Sequence, residues 1–277
     1  MSLSVNTNLS AIQAYNNLNA TSNQMQTTIN QLSSGLQIQT AADNAAGYVI
    51  SQGLQTQANG LGVAINNGQD AISVLQIASG AMNQQISILQ TMNQLATQAA
   101  NGGANNSNSL SADQQEFAAL QSQLDQIANS TSFGGTNLLN GSYSNEVFQI
   151  GAYASSVDQV SVTIATLNTT SLGIASSTVS IGTVSAAISA MAAVQSAILA
   201  VASAEAVVGA AQNQVQAIIA NDTVAQQNVQ SANSTLVDTN MAQAMTAFSS
   251  QQVLMQAGVA MLSQAQALPQ LILKLLP

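Results

Sequence analysis

The sequence has very little charge and lacks residue types on which many protein sites depend. Among its 277 residues there is no cysteine, no histidine and no tryptophan, and only one residue is basic. Without cysteine or histidine the chain can form no disulfide and has no thiolate nucleophile, imidazole base or His-ligated zinc site. One basic side chain is also too few for a nucleic-acid surface or for a basic amphipathic face on an anionic membrane. We therefore expect no catalytic residues, no cofactor, no metal and no nucleic-acid partner.

The scarcity of charge also predicts how the chain responds to acid. Charged residues make up 4% of the sequence, and ten acidic residues give a formal net charge of −9 at pH 7. In strong acid the carboxyls are protonated, and Lys274 with the amino terminus leaves roughly +2. A chain rich in lysine and arginine would become highly cationic there and would repel its own copies. We expect this chain to work in an acidic external medium; the alternative is drift in a neutral setting.

Two stretches bear on export and on membranes. The start, Met1 to Val5, has neither a basic segment nor an apolar core, so we expect no cleaved signal peptide. The span from Ala186 to Val208 is apolar enough to suggest a membrane helix. However, it is mostly alanine and contains Gln195 and Glu205, so we expect no membrane insertion.

Both ends of the chain carry narrow apolar seams with a seven-residue repeat, which is typical of helices that pair with another helix. The residues that we expect to carry pairing or self-assembly are Leu9, Ile12, Leu18, Met25, Ile29 and Leu32 near the start and Met241, Met245, Phe248, Met255, Val259 and Leu262 near the end. The seams predict that the two ends pair with each other, with neighbouring copies, or with both.

The residues between the two ends predict long helices interrupted by one small β region. We expect Gly60, Gly62 and Gly68 to weaken the first long helix, and Pro269 to stop the tail helix near Leu268. The expected segments are a first helix 3–32, a connector 36–47, a long helix 48–100, a helix 111–129, an antiparallel hairpin within 143–167, a loop 171–182 and a second long helix 183–233. The fold class is mainly α: an elongated antiparallel helical bundle or coiled coil with paired termini.

Seven short motifs occur in the order in which bacterial flagellins carry them. With the family's version in parentheses, they are residues 32–38 (LSSGLRI), 41–47 (SAKDDAAG), 68–73 (NDGIS), 95–101 (LAVQSAN), 148–151 (FQIGA), 209–213 (LGAVQNR) and the tail segment 256–270 (QQAG, LAQAN, PQ). Each motif is weak alone, but all seven in the right order are specific. The chain thus resembles a bacterial flagellin, in a short form that lacks the variable outer domains.

This resemblance implies a filament subunit for swimming motility. It implies an inner domain of residues 1–47 and 234–277, and an outer helical domain of residues 48–233 with a hairpin region at 133–167 and a short loop at 168–182. The implied partners are further copies of the chain in a helical filament, an export chaperone, and hook-associated and cap proteins. The implied location is the extracellular flagellum, reached by type III export.

Several positions depart from the family's pattern. Gln37, Ala42 and Gln214 stand where the family usually has Arg, Lys and Arg, so we expect amide hydrogen bonds in place of the ionic contacts by which the family switches between filament forms. In the segment that resembles the one recognised by the vertebrate innate-immune flagellin receptor, Leu95 and Glu116 match but Thr91 replaces an Arg. We expect weak receptor signalling.

Three alternatives remain open at this point. A flagellar hook–filament junction protein would share the terminal helices, although the PQ tail favours the filament subunit. A secreted membrane-active or pore-forming protein would use residues 186–208. An enzyme ranks third, since only carboxylates are available and none forms a spaced pair that resembles a site.

Overall fold

The computed structural model describes the backbone of residues 7–275 and the side chains of residues 7–267, and it confirms a mainly α chain with a small β-hairpin region. The helices are α1 (Leu9–Ser34), α2 (Ala45–Ala99), α3 (Ser107–Ser130), α4 (Val184–Val237) and α5 (Met241–Leu275). The strands are β1 (Ser132–Phe133), β2 (Thr136–Asn137), β3 (Glu146–Gln149) and β4 (Gln159–Val162).

The chain divides into two compact units. Residues 1–56 and 228–277 form the first, which we call the terminal unit, and residues 57–227 form the second, the central unit. Helices α2 and α4 each contribute residues to both units. The domain boundaries expected from the sequence, at 47/48 and 233/234, stay a prediction.

In the terminal unit, α1 begins and ends with defined caps. The side chain of Asn8 accepts a hydrogen bond from the amide of Ala11 at 3.1 Å, which satisfies one of the free amides of the first turn. At the other end Gly35 has φ of 74°, a left-handed conformation that glycine adopts without steric cost. The backbone after Gly35 then pairs with the end of α4, since the Gln37 amide donates to the Val237 carbonyl and the Thr239 amide to the Gly35 carbonyl.

Helix α5 continues past Pro269, contrary to the sequence-based expectation that it stops near Leu268. Proline has no amide hydrogen, so the carbonyl of residue 265 loses its helical partner. Here the side-chain amide of Asn8 donates to the Ala265 carbonyl at 2.7 Å. One asparagine therefore caps the start of α1 and satisfies the carbonyl that Pro269 leaves without a partner in α5.

The core of the central unit is built on α2. Leu75, Met82, Leu89 and Ala96 recur every seven residues and have no exposed surface. The glycines expected to weaken this helix do not interrupt it, since α2 is continuous from residue 45 to residue 99. A Cβ atom at Gly68 would lie 2.7 Å from Ile219 Cγ1, so this glycine permits close packing of α4.

Helix α3 begins at Ser107, earlier than the expected start at residue 111. The side chain of Asn106 accepts hydrogen bonds from the amides of Asn108 and Ser109, and the Ser109 hydroxyl oxygen accepts one from the Asn106 amide. In this reciprocal cap, known as a capping box, Glu or Gln usually occupies the position that Ser109 has here. The serine version is therefore harder to recognise in a sequence.

Strands β3 and β4 form the antiparallel hairpin that alternation in the sequence predicts. Glu146 pairs with Val162 and Gln149 with Gln159. Val160, Val162 and Ile164 are buried, as a period of two requires. A second hairpin, formed by the two-residue strands β1 and β2, lies at the start of the expected hairpin region 133–167; it turns at Gly134 and Gly135, which both have positive φ.

The segment 168–182 is a loop, as expected, but it is packed. Leu172, Ile174 and Ile181 are buried, and α3 holds the loop through three polar side chains. Asp125 accepts from the amide and hydroxyl of Thr169, Gln121 donates to the Ile174 carbonyl, and Gln114 accepts from the Ile181 amide. These contacts fix both ends of the loop on one helix.

Two glycines of α2 give a matched test of close packing. In Gly68→Ala the new methyl group meets Ile219, and we expect overpacking of about 1–3 kcal/mol to exceed the gain of about 1 kcal/mol in helix propensity. In Gly80→Ala no atom lies within 4 Å of the new carbon, so only the helix gain remains. Thermal unfolding should show a lower midpoint for Gly68→Ala and a higher one for Gly80→Ala. Equal shifts would show that α4 does not need the space at Gly68.

The two roles of Asn8 can be separated by substitution. Asn8→Asp keeps the capping oxygen but loses the donor to the Ala265 carbonyl, and we expect faster hydrogen exchange of α5 amides near residue 265 by about 5- to 30-fold, equivalent to the cost of about 1–2 kcal/mol for one unsatisfied carbonyl. Pro269→Ala restores the missing helical amide. In that background the effect of Asn8→Asp should largely disappear, whereas an unchanged effect would contradict the link between Asn8 and Pro269.

Candidate assembly surface on the terminal helices

Helices α1 and α5 pack against each other in the terminal unit. Antiparallel packing follows from two contacts: Asn8, at the start of α1, bonds to Ala265, and the Cβ position of Gly258 lies 3.1 Å from the Leu18 side chain. The least exposed positions recur at alternating steps of three and four residues in both helices. They are Ala11, Ala14, Leu18, Thr21, Met25, Thr28 and Leu32 in α1 and Ala244, Phe248, Gln251, Met255, Gly258, Leu262 and Ala265 in α5.

These positions form a heptad seam. The twelve residues that the sequence predicts for pairing or self-assembly fall into two groups, those in this seam and those outside it. Half of the predicted set lies in the seam and is at least partly buried: Leu18, Met25, Leu32, Phe248, Met255 and Leu262. The other half is exposed on the outside of the pair: Leu9, Ile12, Ile29, Met241, Met245 and Val259. The seam residues contribute to pairing within the chain, and the outer residues are available to another molecule.

The sequence pattern did not reveal the second row of the α5 seam. It assigned Met245 and Val259 to that row, but the structure places Ala244, Gln251, Gly258 and Ala265 there. Small and polar residues give no hydrophobic signal, so only the spacing of three residues after each large side chain could have revealed them. Gln251 Oε1 is buried without a hydrogen-bond partner among the described residues.

Further large apolar side chains are exposed on the two helices. Tyr15 on α1 and Leu254 and Met261 on α5 all have more than half of their surface exposed. Singly exposed apolar residues are ordinary, but a contiguous set marks an interaction surface. The described side chains of both helices, in residues 9–34 and 241–267, include no charged group. A contact made here involves neither ion pairs nor repulsion between like charges.

Two carboxyl groups outside α1 and α5 have pKa values shifted from the ordinary value of an aspartate. The pKa of Asp43 is lowered by hydrogen bonds from the Thr40 amide, the Gln39 amide and the Thr40 hydroxyl. The pKa of Asp222 is raised, first by burial and then by the nearby carboxylate of Asp158. Asp222 Oδ2 is buried and has no hydrogen-bond partner among the described residues. No group of acidic side chains in residues 7–267 could hold a metal ion.

The residues that resemble the immune-receptor segment lie in the central unit. Thr91 and Glu116 are exposed, and the Thr91 hydroxyl donates to the Ser87 carbonyl of its own helix. Leu95 is 9% exposed and packs in the core. Weak receptor signalling stays a prediction.

Comparison with known proteins finds flagellin matches at both ends of the chain. The model of the bacterial flagellin N-terminal helical region matches residues 5–144, and the model of the C-terminal helical region matches residues 191–276. Flagellin B of Vibrio cholerae is 46% identical over 162 residues, which cover 58% of this chain and 43% of that protein. Flagellin D of Vibrio anguillarum is 48% identical over 152 residues, 55% of this chain and 40% of that protein.

The matched part thus spans less than half the length of these curated relatives. A crystal structure of Bacillus cereus flagellin aligns with a TM-score of 0.49 and 26% identity, over 57% of this chain and 88% of that one. The N-terminal match alone covers 140 of the 277 residues. Together with the C-terminal match, it shows that the chain belongs to the bacterial flagellin family.

Proposed function

We propose that the chain is a structural subunit that polymerises into the bacterial flagellar filament. The observation that carries the proposal is the exposed apolar surface of the α1–α5 pair, which includes no charged side chain among its described residues. Flagellin family membership supports the same function. The chain contributes no catalytic step.

Burial of this surface between copies is the main driving force. Each large apolar side chain contributes about 1.5–3 kcal/mol when it is fully buried. Association costs an estimated 4–15 kcal/mol in lost freedom of motion. One or two buried side chains are therefore insufficient, and assembly requires that several exposed apolar side chains of each copy become buried together.

The chain's partners and location follow from the same proposal. Copies of the chain form the filament, and an export chaperone, hook-associated proteins and cap proteins handle the subunit before and during assembly. The filament is extracellular, and the subunit reaches it through type III export without a cleaved signal peptide. A hook–filament junction protein is the alternative within the same architecture.

A membrane-active protein is the alternative from another class. Among the described residues, α4 is the one helix long and apolar enough to cross a membrane, and 28% of its most apolar window is buried. Within α4, Glu205 accepts a hydrogen bond from Asn83 of α2 at 2.7 Å, which places a charged group at a helix contact. Liposome leakage without filament formation would support this alternative over the filament.

We further propose that the filament is adapted to acid. With ten acidic residues and one basic residue, a subunit at pH 2 carries roughly +2, so copies repel each other little. The raised pKa of Asp222 adds to this, because a buried carboxyl group is more stable when protonated. Asp43 acts in the opposite direction, since its hydrogen bonds favour the charged form.

Seeded assembly across pH tests both the filament and the acid proposal. We expect the purified chain to extend its own filament fragments at pH 2, 4, 6 and 8, as seen by electron microscopy and light scattering. The matched control restores three family charges, Gln37→Arg, Ala42→Lys and Gln214→Arg, which brings the charge at pH 2 to roughly +5. This variant should dissociate at a higher pH than the original chain. Absence of filaments at every pH would contradict the proposed function, and acid dissociation of the original chain would contradict the acid proposal alone.

Asp222 gives a second pH test. Since its folded-state pKa is raised, the stability of the central unit should fall as pH rises through that pKa and stay constant below the unfolded value near 3.8. Asp222→Asn removes the buried charge and should raise the unfolding midpoint at pH 7, by about 2–4 °C for each 1 kcal/mol. Asp70→Asn, at an exposed carboxyl of α2, serves as the control and should change the midpoint little. Equal effects of the two substitutions would show that Asp222 is not destabilising when charged.

A further inference from the structure

One side of the α1–α5 pair carries a groove of about 490 Å³. Its floor contains Leu18 and Gly258, and Leu254 and Met261 of α5 form an apolar wall. The α1 side of the groove is mostly polar but uncharged, with Ser10, Gln13, Asn17 and Thr21. Leu254 and Met261 are 56% and 65% exposed, so the wall is open to solvent.

The groove exists because most residues of its floor are small. Gly258 has no side chain, and Ala14 and Ala257 contribute only methyl groups. A Cβ atom at Gly258 would be 3.1 Å from the Leu18 side chain, which shows how closely the two helices approach at this level. Beside this close approach the large side chains of Leu254 and Met261 stand out from α5, and a concave surface remains between them and α1.

The other side of the same pair carries an apolar edge. It consists of Tyr15 and Ile29 on α1 and Met245 and Val259 on α5, all exposed. Successive residues of an α-helix are about 100° apart, so these four residues lie beside the seam, on the flank opposite to the groove residues. In an antiparallel pair the corresponding flanks of the two helices lie together, so Tyr15 adjoins Val259 and Ile29 adjoins Met245.

We propose that the groove of one copy receives the apolar edge of a second copy. This inference rests on the proposed function and specifies which surfaces meet in the filament. Both surfaces belong to the same unit; one is concave and the other carries projecting side chains. Neither includes a charged residue and both carry exposed large apolar side chains, so the edge of a second copy matches the chemistry of the groove.

The proposed contact determines the kind of assembly. Two different surfaces on opposite sides of one unit make a head-to-tail contact, in which each copy has one groove and one edge to offer. Such contacts form rings when the rotation between copies closes and open helical polymers when it does not, whereas an edge-to-edge contact would generate dimers. The open polymer is the form that agrees with the proposed function.

Charge complementation tests this contact at pH 7. Val259→Lys places a cation on the edge, and Met261→Glu places an anion on the groove wall; both positions are exposed, so neither substitution buries a charge within the monomer. Each variant alone should require at least about a tenfold higher concentration to extend wild-type filament fragments, because the edge or the groove of every copy carries an unpaired charge. An equimolar mixture should assemble within about threefold of the wild-type concentration.

The mixture recovers because two kinds of contact alternate in it. The edge of a Val259→Lys copy meets the groove of a Met261→Glu copy as an opposite-charge pair, and the next contact joins an unsubstituted edge to an unsubstituted groove. Raised salt should weaken the mixture more than the wild type, since the added pair is screened. Circular dichroism of the monomers should show equal helical content, which excludes misfolding as the cause of lost assembly.

Val253 provides the matched control. It is 65% exposed on the back of α5, away from both the groove and the edge. Val253→Lys and Val253→Glu should each assemble like the wild type. The inference is overturned if the single variants assemble normally, if the mixture is no better than its components, or if a mixture of Val259→Lys with Val259→Glu recovers assembly through edge-to-edge contact. In each of these cases wild-type filaments still form, so the proposed function stands.

Discussion

The packing of α1 against α5 joins two segments that lie far apart in the sequence, at opposite ends of the chain, and the surfaces proposed for assembly depend on it. Neither helix buries a wide apolar face, because each has large side chains at only one of its two seam rows. The other row is filled by alanine, glycine, threonine and glutamine. Such a seam brings the backbones close together and leaves apolar side chains at the flanks. The same choice of residues thus makes a modest internal contact and leaves exposed the apolar side chains of the proposed external one.

Amide side chains make several of the contacts that hold the elements of this chain together. In the central unit Gln85 donates to the Leu167 carbonyl, Asn67 to the Gln149 carbonyl and Gln226 to the Ala58 carbonyl. In the terminal unit Asn8 joins both helices. A neutral amide keeps its hydrogen-bonding capacity at every pH between strong acid and strong base, whereas an ion pair loses one partner in acid. These contacts are compatible with the proposed acid setting.

Much of the fold could be predicted from the sequence because large apolar residues recur with a helical period. The seven-residue spacing of Leu75, Met82 and Leu89 marks the buried side of α2, and the alternation of Val160 and Val162 marks the strand β4. Helix ends were less predictable, since Ser109 replaces the usual residue of a reciprocal cap and Asn8 compensates for Pro269 from the far end of the chain. The candidate surface was found only in part. Its residues could be named, but whether each one points into the seam or outwards depends on Gln251 and Gly258, which carry no apolar signal.

The anchoring of the segment 168–182 at both ends allows additional sequence to be inserted there. Both ends of the loop are held by α3, at Asp125 with Thr169 and at Gln114 with Ile181, while Ser176, Ser177 and Thr178 between them are exposed. Doubling the length of a flexible loop costs only about 0.6 kcal/mol in closure entropy. Sequence inserted at residues 176–177 would therefore leave the core of the central unit closed beneath it, and the loop is a suitable place to display a foreign peptide.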